Sequence, residues 1–440
     1  MPPPVIAALR RGGGWPAPGH GRPGATARMS SIAKGTAINF GFRIASLVLT
    51  VIVTVVTARL GPTDRGVYSL LTLIVATFAT AFSGLGSLLS HRIARHGEAA
   101  PELASSGMAL GALIGAVAGL PFLGLALWPP AAPYDQLKWL AIIVPGALWP
   151  QIANGLYLGQ GSMLRFNLNN ILMPFAFVTS CGLIALLAPP ITLGSIVCSW
   201  AAANVLASSY ALGSVWKYVG LARANIGRLL AEYRFVLQVG LANVVAFLNY
   251  RMDLLLVELL LGLDAMGVYS IAVALSELLW LISSSSTMAA FRKIGAAEPG
   301  ESARLTLRIM RINFVLLALA APCLALGAWL LLPRVIGAEY QASLTPLMLL
   351  LPGSVLFGAA GILSTFYTNH LGRPDIPTKL VAFSTVINLT LSLLLIPRLG
   401  LAGAALASSV AYLISILASL FVFARHAGFD RRDMLRGGPP

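Results

Sequence analysis

The sequence predicts an all-α polytopic membrane protein of about twelve transmembrane helices, arranged as two parallel-repeat bundles of six. Three observations carry that prediction. Of the 440 residues, 57% are hydrophobic and only 10% charged, with a mean hydropathy of +0.82. A soluble domain carries about 25% charge. Apolar runs of about 20 residues recur along the chain, each long enough to cross a bilayer as a helix. The third observation is a duplication. Leu60-Gly61-Pro62-Thr63-Asp64-Arg65-Gly66-Val67-Tyr68-Ser69 returns 201 positions later as Leu261-Gly262-Leu263-Asp264-Ala265-Met266-Gly267-Val268-Tyr269-Ser270. Leu, two Gly, Val, Tyr and Ser coincide in register, and apolar runs flank both copies. Such a repeat fixes the architecture before any single element does.

Residues 1–30 are rich in Pro, Gly, Ala and Arg, without an apolar period or a cleavable signal layout. They read either as a disordered leader or as a mis-assigned start, with Met29 the first residue. The first bundle, 31–215, holds spans at 37–58, 67–90, 105–127, 137–158, 167–188 and 194–215. A linker, 216–235, follows; Ile226, Leu229, Leu230 and Tyr233 predict an interfacial helix with one apolar face. The second bundle, 236–425, holds spans at 236–261, 267–290, 311–332, 343–366, 378–396 and 400–424, and 426–440 is a tail. Each duplicated decapeptide joins the first two spans of its half. Tyr157-Leu158-Gly159-Gln160-Gly161 and His370-Leu371-Gly372-Arg373-Pro374 are corresponding turns after the fourth and tenth spans. Gly194 and Gly403 open the sixth and twelfth. Pro145, Pro174, Pro322 and Pro352 fall inside spans, where neighbouring helices can satisfy the freed backbone.

The net charge of +15 orients the chain. Of the 30 Lys and Arg, 23 fall on the N-terminal segment, the even-numbered connections and the tail. Only five, Arg59, Arg65, Lys138, Arg334 and Arg398, fall on the odd connections. The positive-inside rule then puts both termini in the cytoplasm. The basic excess is a topology signal and a contact for anionic membrane lipids, not a nucleic-acid footprint. An even number of spans per half gives both halves the same orientation, related by an axis along the membrane normal.

Within the spans, polar residues are the candidates for function. Asn39, Arg43, Ser46, Thr50, Thr54 and Thr57 recur at steps of three or four, one stripe on a helix. Polar glue between packed helices is one reading; the wall of an aqueous cavity is the other. Arg43 favours the cavity, because an intramembrane Arg costs about 2.5–3.5 kcal/mol on insertion scales and usually faces a bundle interior or a water path. Its alternative is snorkelling to the interface. On the seventh span Asn243, Phe247, Tyr250, Arg251 and Glu258 share one face, with Asn249 and Asp253 nearly opposite. Two positions apart on a helix, Arg251 and Asp253 cannot pair. That leaves Asp253 to bond a neighbouring helix and Arg251 to meet a ligand. Glu277 falls mid-span in the eighth segment, before Ser283-Ser284-Ser285-Ser286-Thr287. Asp253 and Glu277 are the candidate ion or proton site, with neutral burial or pairing to Arg251 the alternative for Glu277.

Several chemistries are excluded. No GxxxxGK[ST] run cradles ATP phosphates. No Cys/His cluster has metal spacing, so neither a metal nor another cofactor is called for. Cys181, Cys198 and Cys323 lie in apolar spans and read as small hydrophobes rather than a disulfide framework. No odd-numbered connection exceeds about a dozen residues, whereas membrane polymerases and ligases acting on lipid-linked sugars generally need a sizeable outer loop. The chain does not read as an enzyme.

Asn39-Phe40-Gly41-Phe42-Arg43, Leu60-Gly61-Pro62 with Gly66-Val67-Tyr68, and Arg251-Met252-Asp253 with Gly262 and Gly267-Val268-Tyr269 resemble the MOP superfamily (multidrug, oligosaccharidyl-lipid and polysaccharide exporters) over residues 31 to 425. The likeness is strongest to its twelve-helix oligosaccharide-lipid flippases. The resemblance implies two six-helix bundles around a cavity that opens alternately to each side of a bacterial cytoplasmic membrane. It implies export of a polyprenyl-diphosphate-linked oligosaccharide for surface polysaccharide, beside other polysaccharide-assembly membrane proteins. Arg43 and Arg251 would hold the diphosphate, with Asn39, Ser46, Thr50, Asn243 and Tyr250 completing the cavity. The alternative within the superfamily is an ion-coupled multidrug or cation exporter, which needs acidic cavity residues; Arg43 weighs against it, while Asp253 and Glu277 keep it open.

Overall fold

The computed structural model describes residues 25–96, 98–187 and 191–427, so most of the leader and most of the tail lie outside the described residues, while 25–30, expected in the leader, begin the first helix. In the first half, α1 (Ala25–Ala58), α2 (Pro62–Ala81), α3 (Ser83–His96) and α4 (Ala100–Leu127) are followed by the short α5 (Leu140–Ile143). Then come α6 (Trp149–Gly159), α7 (Met163–Leu187) and α8 (Leu193–Tyr218). The linker carries α9 (Ile226–Leu230). The second half runs through α10 (Tyr233–Asn249), α11 (Met252–Leu261), α12 (Leu263–Ala296), α13 (Pro299–Val335) and α14 (Leu344–Ala360). It ends with α15 (Ile362–Thr365), α16 (Asp375–Leu399) and α17 (Leu401–Ala427). Among the described residues eleven helical segments are long and apolar enough to cross a membrane. The expected span at 236–261 is occupied by two shorter helices, α10 and α11.

That break corrects the expectation of one continuous helix over 236–261. Residues Tyr250 and Arg251 leave helical geometry between α10 and α11. A carbonyl released inside a membrane must find a donor, and the side chain of Asn388 on α16 donates to Asn249 O at 3.2 Å. The second crossing likewise consists of two helices, α2 and α3, separated at Phe82. The linker helix is shorter than expected and does not present one apolar face. Leu229 packs into the first half's core while Leu230 and Tyr233 are exposed.

The duplicated decapeptide is where the halves meet. Gly61 and Gly262, just before α2 and α12, have φ of 93° and 90°, a conformation that glycine adopts without steric cost. Five residues on, the helices cross so closely that a Cβ on Gly66 would sit 1.9 Å from Leu263 O. One on Gly267 would sit 1.8 Å from Pro62 O. Both contacts pair a residue with its neighbour's counterpart at the same 201-residue offset. Thr63 Oγ1 also donates to Asp264 Oδ1 at 3.2 Å, and these two positions are themselves equivalents. Reciprocal contacts of this kind mark a two-fold axis passing through the crossing. Behind it, one core joins Tyr68, Phe177 and Trp200 of the first half to Met266, Tyr269 and Leu347 of the second. Separate cores fill the far ends of each half.

Candidate functional site

Beneath the crossing lies a cavity of about 660 Å³ between the halves. Its wall follows α1 from Thr54 back to Arg43, α2 from Arg65 to Ala76, and α12 from Ser270 to Ser284, with Phe247, Arg251 and Leu254 closing the remaining side. The polar stripe of α1 therefore does double duty. Arg43, Ser46 and Thr50 face the cavity, and Thr57, at the crossing end, is buried. The hydroxyls of Thr50, Thr54 and Thr57 each donate to a carbonyl one turn back, at 2.9, 2.9 and 2.6 Å, the usual way a membrane helix satisfies a threonine. Arg43 Nη1 donates to Ser284 Oγ at 3.0 Å, joining the first helix to the serine run of α12. The side chain of Asn39 lies outside the described residues.

Arg251 sits at the break, where the chain turns from α10 into α11, and reaches into the cavity. It is not left free as the helical-face argument expected. Its two terminal nitrogens meet the two oxygens of Glu277 at 2.8 and 2.9 Å, a forked pair that fixes both side chains. Tyr250 turns away from the main cavity into an aromatic cluster with Trp280 and Phe357, ring centres 5.8 and 6.3 Å away. Asn243 also lies off the cavity wall; it donates to Ser83 Oγ across the halves at 2.8 Å.

Asp253 is buried and belongs to the packing. It accepts from Tyr269 Oη at 2.7 Å, from Ser408 Oγ at 3.0 Å and from the backbone N–H of Leu254 at 2.8 Å. Three donors can hold a carboxylate that would be costly alone in a dry interior. Asp253 and Glu277 share the lining of a second void with Tyr250 and Tyr412. At about 10 Å³, it has room for about one water.

Arg65 is the residue that sequence reading misplaced. Counted among the outer connections, it is in fact 6% exposed and lines the cavity's closed end. Its Nε donates to Ser270 Oγ at 3.0 Å, and Nη1 bonds Thr57 Oγ1. Neither partner is charged. One signal was available: inside the repeat, position 65 departs from its copy, Met266, where the glycines, valine and tyrosine do not. Among the described residues no group of three or more His, Cys, Asp or Glu is placed to hold a metal ion.

Two duplicated helical halves enclosing a central cavity define the class of fold: an all-α membrane protein built as a tandem repeat. Comparison with solved structures finds the same fold elsewhere. The chain superposes on the outward-facing form of a multidrug resistance MATE family transporter of the MOP superfamily with TM-score 0.66 and 16% identity, covering 90% of this chain and 94% of the other. For the inward-facing form the values are 0.67, 16%, 87% and 96%. For the lipid II flippase MurJ in an inward closed conformation they are 0.68, 15%, 92% and 90%. No family model matches the sequence, and no curated protein matches it. At this identity the likeness is one of fold: the chain shares the fold of these proteins, which are by name multidrug transporters of the MOP superfamily and a lipid II flippase.

Proposed function

We infer that this protein moves a polyprenyl-diphosphate-linked oligosaccharide across a bacterial cytoplasmic membrane by alternating access, for assembly of a surface polysaccharide. One observation carries the reading. The cavity wall holds three guanidiniums, Arg43, Arg65 and Arg251, against a single carboxylate, Glu277. In a low-dielectric slab that imbalance draws an anion and repels a cation. A guanidinium's forked donors also match phosphate oxygens better than an ammonium does. The diphosphate would enter beside Arg251 and Arg43, competing with Glu277 for the fork and with Ser284 for Arg43. The apolar tail would remain among the lipids. MurJ, with a comparable fold, is a lipid II flippase by name, which supports a diphosphate lipid as the substrate class. Nothing in the wall suits a cationic drug as well.

The reading is tested by mass spectrometry of lipid extracts from cells lacking the gene, beside cells carrying it back. A polyprenyl-diphosphate oligosaccharide should accumulate and should clear on complementation. Complementation with Arg251→Ala should fail although the protein reaches the membrane. A normal lipid profile in the deletion would discard the reading in favour of cation export.

A further inference from the structure

A second cavity, of about 580 Å³, lies in the first half between α3, α6 and α7. Its wall includes Ser87, Ser90, His91, Gln151, Asn154 and Asn170, and no Lys, Arg, Asp or Glu lines it. Ser87, His91 and Asn170 are exposed. The outer surface of the spans is mostly apolar: where α1 and α4 are exposed they show Ile44, Val48, Leu113, Val117 and Leu120. A packing surface would bury such polar groups. Exposed hydroxyls and amides between helices therefore line a wet groove.

The groove is ordered. Asn154 Nδ2 donates to Asn170 Oδ1 at 2.9 Å and Asn154 Oδ1 accepts from Asn169 Nδ2 at 2.9 Å. Asn169, 3% exposed, is anchored in turn to Pro150 O at 2.8 Å, and its Oδ1 has no hydrogen-bond partner among the described residues. The nearest guanidinium in sequence, Arg92, is paired with Glu98 and Glu232, so it adds little field to the groove.

The groove also lies near the main cavity. Ala76 lines the cavity and Ser83 the groove, seven residues apart in sequence on either side of the break at Phe82. Asn243, bonded to Ser83, is one turn from Phe247 on the cavity wall. A ligand fitting both compartments is anionic at one point and, a short distance away, neutral and rich in hydrogen-bonding groups.

We propose that this groove binds the uncharged sugar portion of the substrate, a neutral hexose or N-acetylhexosamine, while its diphosphate occupies the arginine-lined cavity. Paired amides and hydroxyls can both donate to and accept from sugar hydroxyls, whereas an acidic sugar would find no Lys or Arg on this wall. The proposal rests on the flippase reading and adds the site and charge class of the glycan.

Two probes separate the two ideas: the glycolipid that accumulates in the deletion strain, and a polyprenyl diphosphate that carries no glycan. Binding of each to the purified full-length protein is measured by native mass spectrometry. Gln151→Leu combined with Asn154→Leu should weaken glycolipid binding about tenfold, the loss of one or two neutral hydrogen bonds. Binding of the sugar-free lipid should change less than about threefold, a shift below 0.7 kcal/mol. Gln151→Leu alone should show the same selectivity at smaller size without touching the asparagine cluster. If Gln151→Leu weakens both lipids equally, or neither, the groove is not the sugar site. If the wild type binds neither lipid, the flippase reading itself falls.

Discussion

The same decapeptide does two different kinds of work in this molecule, and the contrast separates scaffold from chemistry. At the crossing, the pairs that touch across it are used alike. Gly61 and Gly262 make the same turn, Gly66 and Gly267 make the same close approach, and Thr63 meets Asp264 across the axis. A few residues away, on the cavity wall, equivalent positions diverge. Arg65 stands where the copy has Met266, Thr50 where it has Arg251, and Ala76 where it has Glu277. Even an identical residue is reused: Tyr68 stacks on Phe177 at 5.8 Å, whereas Tyr269 donates to Asp253. Symmetry was kept where the halves bear on each other and abandoned where a ligand would lie.

The sharpest way to break this comparison is at the glycines. Gly66→Val puts a branched side chain where even a Cβ would lie 1.9 Å from backbone, so the crossing must open. Overpacking of that severity costs about 3 kcal/mol, and Gly267→Val should cost the same. Thermal unfolding of the purified variants checks this, and unequal losses would show that the crossing is not two-fold. Arg65→Met, which installs the residue of the other copy, should behave in the opposite way. Ser270 and Thr57 each keep a backbone acceptor of their own, and exchanging a buried cation for an apolar side chain is often neutral or stabilising. Stability should hold or rise while transport falls at least about tenfold, the effect of losing about 1.4 kcal/mol of anion binding. Retained transport would make Arg65 part of the scaffold.

How much of this was legible follows the same division. The crossings, the repeat and the cavity-facing stripe of Arg43, Ser46 and Thr50 follow from hydropathy and period, because a bilayer leaves the chain few alternatives. The close approach at Gly66 and Gly267 was implicit in the duplicated glycines. What could not be read was any feature made by a neighbour. The break at Tyr250–Arg251 depends on Asn388, 139 residues away, to satisfy Asn249 O. Once the helix breaks there, reasoning from a continuous helical face fails. It favoured Arg251 meeting a ligand over its pairing with Glu277, which the structure forms, and it put Tyr250 on the cavity wall, where the lining does not include it. Arg65 was misplaced for a related reason: a charge near a span's end reads as solvated until its neighbours are known to cover it.

Two smaller effects sharpen the contrast further. Asp253→Asn replaces one acceptor oxygen by a donor facing the hydroxyls of Tyr269 and Ser408 or the Leu254 N–H, and should lower stability by about 1–3 kcal/mol. If Asp253 belongs to packing, the pH dependence of transport between pH 6 and 8 should not move; a shifted profile would return it to an ion site. The smallest change expected is Thr63→Ala. Its bond to Asp264 is exposed, and a neutral donor to a wet carboxylate contributes little beyond what water offers. Unfolding should shift by no more than about 0.5 kcal/mol. Yet this bond lies on the axis at the crossing's rim, so its loss should favour the state in which the crossing is parted. A cysteine placed at the adjacent Ala265, which leaves Asp264 intact, should react faster with a membrane-impermeant maleimide in the Thr63→Ala background than beside Thr63. Equal rates would mean that the glycine contact alone sets the opening and that the rim bond is incidental to it.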